Sequence, residues 1–95
     1  MKTPLNYAIL TCVWQDGPCD AEDVVARLAP RYGRHRAFRK PAVVEALMTA
    51  ERNGILEETG ARLSADGALL IQYRVTDYGA ALMRRFLPQA GGRIG

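Results

Sequence analysis

At Gly54 the spacing of apolar residues changes from a helical period of about 3.6 to a strand period of about 2. No other feature restricts the possible folds as much. The residues before Gly54 read as helices, and those after it read as a hairpin and one last helix. In the first segment, Leu5, Ile9, Cys12 and Val13 form one stripe of a helix from Pro4 to Gln15. Tyr7, Leu10 and Trp14 form a second stripe. Pro4 suits a first turn, and Gly17-Pro18 marks the stop. Two stripes leave two arrangements open. Either both are buried within one domain, or one faces the core and the other meets a second subunit.

Asp20 opens the second helix. Its carboxylate can cap the free backbone N–H groups, and Glu22 and Asp23 complement the positive end of the helix dipole. Ala21, Val24, Val25 and Leu28 supply the apolar face. Pro30 would remove one ladder bond and clash one turn back, so this helix is expected to end near Ala29. Pro41 marks another first turn, and Ala42 to Asn53 reads as the third helix. Val43, Val44, Leu47 and Ala50 share one face, with Glu45, Thr49 and Arg52 opposite, and Gly54 supplies a left-handed stop.

Beyond Gly54, Ile55 to Arg62 begins a strand, Ser64-Ala65-Asp66-Gly67 turns, and Ala68 to Val75 returns. In the return strand Leu69, Ile71, Tyr73 and Val75 alternate with Leu70, Gln72, Arg74 and Thr76. Thr76 or Asp77 caps a final helix reaching about Leu87, where Pro88 ends it. The expected class is α+β, in the order three helices, two strands and a C-terminal helix. Residues 1–88 form the domain, and residues 89–95 form a flexible tail.

Composition excludes several function classes. With 48% apolar and 24% charged residues in a chain of 95, a single globular domain is expected. His35 and Ser64 are the lone residues of their types, and nothing is spaced to serve either as an acid–base partner. Cys12 and Cys19 fit neither a redox C-x-x-C nor a four-ligand zinc pattern, and Cys12 reads as a small buried hydrophobe. No catalytic residue, metal site or cofactor is expected, and the chain does not read as an enzyme. Gly91-Gly92 lacks the flanking strand and helix of a phosphate loop. No apolar run approaches the length of a membrane span, and Asn6 and Thr11 interrupt the run that would mimic a signal peptide. The expected location is the cytoplasm, with no membrane partner.

The net charge of +3 is unevenly placed. Arg27, Arg31, Arg34, Arg36, Arg39 and Lys40 fall within one stretch that holds no acid, and the rest of the chain carries a net −3. A mildly acidic domain therefore carries one basic segment, immediately before its third helix. A nucleic-acid backbone is the natural partner for such a segment.

The segment VVEALMTAERNGILEE resembles the recognition helix and first wing strand of winged helix-turn-helix regulators. Val43, Val44, Leu47, Ala50, Glu51, Gly54, Ile55 and Leu56 occupy the matching positions. YRVTDYGAALM is similar to the family's second wing strand and final helix, through Tyr73, Val75, Thr76, Asp77 and Gly79. The PadR-like branch, with its strongly apolar first helix, is the nearest in character. The resemblance spans about residues 4 to 87.

That resemblance implies a small winged helix that binds double-stranded DNA as a homodimer and regulates transcription, as a repressor. The third helix would enter the major groove, and the hairpin wing would reach the flanking groove or backbone. Arg34, Arg36, Arg39 and Lys40 would meet phosphates. Glu45, Thr49 and Arg52 would face the bases, and Arg62 would serve as the wing contact. Tyr7, Leu10 and Trp14 would meet Leu82, Met83 and Phe86 across a two-fold interface. Three departures stand against the family pattern. The connection from Pro30 to Arg39 is long, the third helix offers few base readers, and the final helix is short. The alternative of a different class is a protein-interaction module, because winged helices also dock proteins and a helix poor in base readers suits that use.

Overall fold

The computed structural model describes residues 5–34, 36 and 38–86, with the side chain of Phe86 excluded. Pro4, His35, Leu87, Pro88, Gly91-Gly92 and the tail of residues 89–95 lie outside the described residues. The elements are α1 (Leu5–Asp16), α2 (Ala21–Tyr32), α3 (Lys40–Arg52), β1 (Leu56–Leu63), β2 (Leu69–Val75) and α4 (Asp77–Phe86). Their order is the one expected from the change of period at Gly54. The strands pair antiparallel, from Leu56 opposite Val75 to Leu63 opposite Leu69 at the tip.

Each helix in the N-terminal three contributes one face to a shared core. Ile9, Cys12 and Val13 of α1 meet Val24, Leu28 and Tyr32 of α2 and Val43, Leu47 and Ala50 of α3. Leu56 and Tyr73 close this core from the hairpin. The first α1 stripe is therefore a core stripe. In the second stripe Leu10 is partly buried against the core, while Tyr7 is 48% exposed.

The expected end of α2 at Ala29 is corrected: the helix runs through Pro30 to Tyr32. A proline in the last turn forfeits only one ladder bond. The backbone continues regularly, with Gly33 N–H donating to the Ala29 carbonyl at 2.8 Å. The extra turn brings Tyr32 into the core, where it is 1% exposed, with the Phe38 ring centroid 6.4 Å away. Burial of one large aromatic ring outweighs the lost bond. The long connection is thereby shortened to the stretch from Gly33 to Arg39.

The hairpin also differs from a simple alternation. Strict period 2 puts Leu69 and Tyr73 on one buried face, yet Leu69 is 64% exposed and Leu70 is 4% exposed. A bulge between Glu58 and Gly60 shifts the register opposite Tyr73 and Gln72. Bulges add local twist, so the outer half of the hairpin turns relative to the inner half. Tyr73 faces the helical core with Ile71 and Val75 beside it, and farther out Leu70 is buried outside that core cluster, in the lining of a cleft with Ala21, Val44 and Leu47. Leu63 and Leu69, at the outer end of the strands, are both largely exposed.

Two junctions hold the hairpin to the helices. Between α1 and α2, Cys19 forms an isolated bridge with Tyr73, exchanging backbone hydrogen bonds of 2.9 Å in both directions. At the other end, the Thr76 hydroxyl donates to the Gly54 carbonyl at 2.6 Å and accepts from the Gly79 N–H at 2.9 Å. Thr76 is thus the cap of α4. Gly79 is required by close approach, because a Cβ there would overlap the Ile55 carbonyl oxygen.

Candidate nucleic-acid interface

The outer face of α3 follows from its inner one. With Val43, Leu47 and Ala50 buried, helical geometry turns Pro41, Ala42, Glu45, Met48, Thr49 and Arg52 outward, and all six are exposed. Arg52 lies 3.7 Å from Glu45 and donates to the Thr49 hydroxyl at 3.3 Å. The acid on this face is therefore accompanied by a cation of the same helix. Met48, 40% exposed, is a member of this face that the sequence pattern did not single out. Its position one residue past the buried Leu47 is the helical-wheel signal that reveals it.

The basic segment divides into two groups. Arg34, Arg36 and Arg39 are exposed, and none has an ion-pair partner among the described residues. Arg39 is the N-cap residue of α3, in extended conformation and with no side-chain capping bond. Its guanidinium is left for another partner, beside the free N–H groups of a helix start. Lys40 differs. Its ammonium donates to Glu22 of α2 at 2.9 Å, which fixes the start of α3 against the start of α2.

Arg62 is also committed. Its Nε donates to Asp20 Oδ2 at 2.7 Å, and its Nη2 lies 3.4 Å from Asp20 Oδ1 and 3.6 Å from Glu22. Asp20 is fully buried and simultaneously caps α2, accepting from the Asp23 N–H at 2.9 Å. Asp23 returns the bond to the Asp20 N–H at 3.1 Å, completing a capping box. Burial works against the Asp20 charge, but the Arg62 hydrogen bond and the backbone donors prevail and hold its carboxyl below the ordinary range. Arg62, expected as the wing contact, ties β1 to α2. Nothing local in the sequence signals this pair, whose members are forty-two positions apart.

Lys40, Glu22, Arg62 and Asp20 therefore form one charge-balanced chain linking α3, α2 and the wing. It orients the outer face of α3 relative to the hairpin. On the wing itself, Arg74 pairs with Glu57 across the strands. The hairpin presents no unpaired arginine or lysine, and its tip presents Leu63 and Leu69.

The residues expected at a subunit interface fall in three situations. Tyr7 is exposed, and Leu10, Trp14 and Leu82 are half-buried. Arg84 of α4 lies over the Trp14 ring, 5.9 Å from its centroid, so α1 and α4 already meet within one chain. Met83 is 3% exposed and packs inside its own chain, which removes it from the expected interface. The Phe86 side chain lies outside the described residues.

No protein-family model matches the sequence, and no curated protein matches it. Solved structures do. Bacillus subtilis PadR in complex with operator DNA gives a TM-score of 0.69 at 18% identity, over 87% of this chain and 46% of that one. A PadR-like transcription factor from Bacteroides fragilis gives 0.69 at 18% identity, covering 90% of this chain and 78% of that one. A PadR-like transcriptional regulator from Bacillus cereus gives 0.65 at 18% identity, covering 95% and 82%. The chain spans less than half the length of the first of these and about four-fifths of the others. Its fold is the PadR-like winged helix.

Proposed function

We propose that this chain is a DNA-binding transcriptional regulator that docks α3 in the major groove of a duplex. The observation that carries the reading is the trio Arg34, Arg36 and Arg39, exposed and unpaired among the described residues, directly before a helix with a free outer face. A structural neighbour of the same fold is a complex with operator DNA, which supports the same partner. The three arginines contact phosphates and set register. Thr49, Glu45 and Arg52 face the base edges, where Thr49 can meet a thymine methyl and Glu45 a cytosine amino group. Lys40 and Arg62 act indirectly, by fixing α3 and the wing against α2.

A regulator of this size reads two half-sites as a homodimer, and Tyr7 and Trp14 of α1 with Leu82 of α4 form the partly exposed surface for that contact. Repression follows from occupancy of the duplex, and a chromosomal partner puts the chain in the cytoplasm. No helix among the described residues is long and apolar enough to cross a membrane.

Binding to a randomised duplex library at two salt concentrations tests the reading. The expected result is retention that weakens steeply with salt, together with enrichment of a sequence that has two-fold symmetry. Failure to retain duplex at the lower salt would overturn it. One observation favours a second reading, a protein-docking module: the wing cations are paired and the tip is apolar through Leu63 and Leu69. On that reading the wing buries against another protein, and association persists at high salt.

A further inference from the structure

The outer face of α3 is short of the side chains that read purines. Guanine is read in the major groove by an arginine or lysine, and adenine by an asparagine or glutamine amide. Arg52 is the one cation among the six outward residues, and it is held beside Glu45 at 3.7 Å while donating to the Thr49 hydroxyl at 3.3 Å. The helix itself contains no asparagine or glutamine, and Asn53 follows it as the C-cap, at the end away from the arginines.

What the face offers instead is apolar. Pro41 and Ala42 are exposed in its first turn, and Met48 is exposed in its second half. Met48 stands on the edge of the face nearest the wing, in the lining of a cleft with Val44 and with Leu69 of β2. Leu69 pairs with Leu63 across the hairpin. Met48, Leu63 and Leu69 are three of the five large apolar side chains exposed among the described residues, and they gather on the wing and the adjoining edge of α3. Arg34, Arg36 and Arg39, exposed and without an ion-pair partner among the described residues, stand before the start of the same helix. Cations beside an apolar strip suit a polyanion that carries apolar groups. The base edges of a major groove carry one such group, the C5-methyl of thymine. Ala42 and Met48 are separated by a rise of about 9 Å along α3, close to about 3 base-pair steps.

Resting on the docking of α3 in the major groove, we propose that the helix selects thymine by its C5-methyl groups and that Met48 is the residue that determines this choice. The Met48 thioether, unbranched and polarizable, packs on the methyl and excludes water from it, with Val44 and Leu69 behind. The same contact disfavours cytosine, which presents an amino donor and no methyl at that edge. Uracil pairs as thymine does and lacks only the methyl, so its penalty measures the contact directly.

The test compares the duplex enriched from the randomised library with the same duplex carrying deoxyuridine in place of thymidine. Wild type is expected to prefer the thymidine duplex by about fourfold for each methyl group buried. Met48→Ala, at an exposed position outside the core, should bind the thymidine duplex more weakly and lose about fourfold of that preference. Its salt slope should stay at the wild-type value, because no phosphate contact is removed. Met48→Leu, which restores an apolar side chain, should keep the preference. Two proteins on two duplexes separate the methyl contact from any change in duplex shape, which acts on both proteins alike. Equal affinity of wild type for the two duplexes overturns the inference, and so does a Met48→Ala variant that keeps the full preference. Failure of wild type to retain either duplex at low salt overturns the docking of α3 and the inference together.

Discussion

Asp20 shows how one residue can serve three elements at once. A carboxylate with no exposure survives burial because both oxygens are hydrogen-bonded: Oδ1 accepts from the Asp23 N–H and Arg62 Nη2, and Oδ2 accepts from Arg62 Nε. Asp20→Ala removes the cap and leaves Arg62 without its closest partner, and about 2 kcal/mol of stability should be lost in urea unfolding at neutral pH. The sign of the pH dependence follows from the lowered carboxyl. Its contribution is complete above the ordinary value of 3.8 and fades as pH falls through the lower folded value. The gap between wild type and Asp20→Ala should therefore narrow in strong acid, and a gap that widens there would contradict this role. Gly79 is a second such point. Gly79→Ala should cost more than about 2 kcal/mol, since the new methyl meets the Ile55 carbonyl oxygen in a rigid strand-to-helix corner.

At the scale of elements, the helices were legible where caps and periodicity agreed. Asp20 followed by Asp23 announces a helix start, and Gly54 announces a stop, taking φ of +81°. The end of α2 was not legible, because the residue that overrides Pro30 is Tyr32, and its reward is burial among residues distant in sequence. The wing was legible as a hairpin, and Ile71, Tyr73 and Val75 share the core side that alternation gives, but the exposure of Leu69 and the burial of Leu70 were not legible. Period alone cannot register a bulge at Thr59 or the absence of a core beyond Leu70. The consequence is a sharp contrast between adjacent leucines. Leu70→Ala should lower stability by about 2–3 kcal/mol, whereas Leu69→Ala should leave it within about 0.5 kcal/mol in the same unfolding assay.

At the scale of the molecule, sequence located the basic segment, but it could not divide the cations within it. Arg34, Arg36 and Arg39 have no ion-pair partner among the described residues, while Lys40 and Arg62 hold α3 and the wing to α2 through Glu22 and Asp20. That division depends on contacts between elements, which no local spacing encodes. The proposed assembly is also a whole-molecule property. The intact chain should sediment as a dimer at tens of micromolar, and Tyr7→Glu, at an exposed position on α1, should shift it to monomer with the helical circular dichroism spectrum unchanged.

The most direct test of DNA docking by the basic segment is the salt dependence of duplex affinity for wild type and for the variant Arg34→Ala, Arg36→Ala, Arg39→Ala. Each phosphate contact contributes a slope of about −0.9 in log affinity against log salt. The triple variant should bind more weakly at every salt concentration, with a slope shallower by about 0.9 for each arginine removed. Equal affinity and an unchanged slope in the triple variant would contradict it.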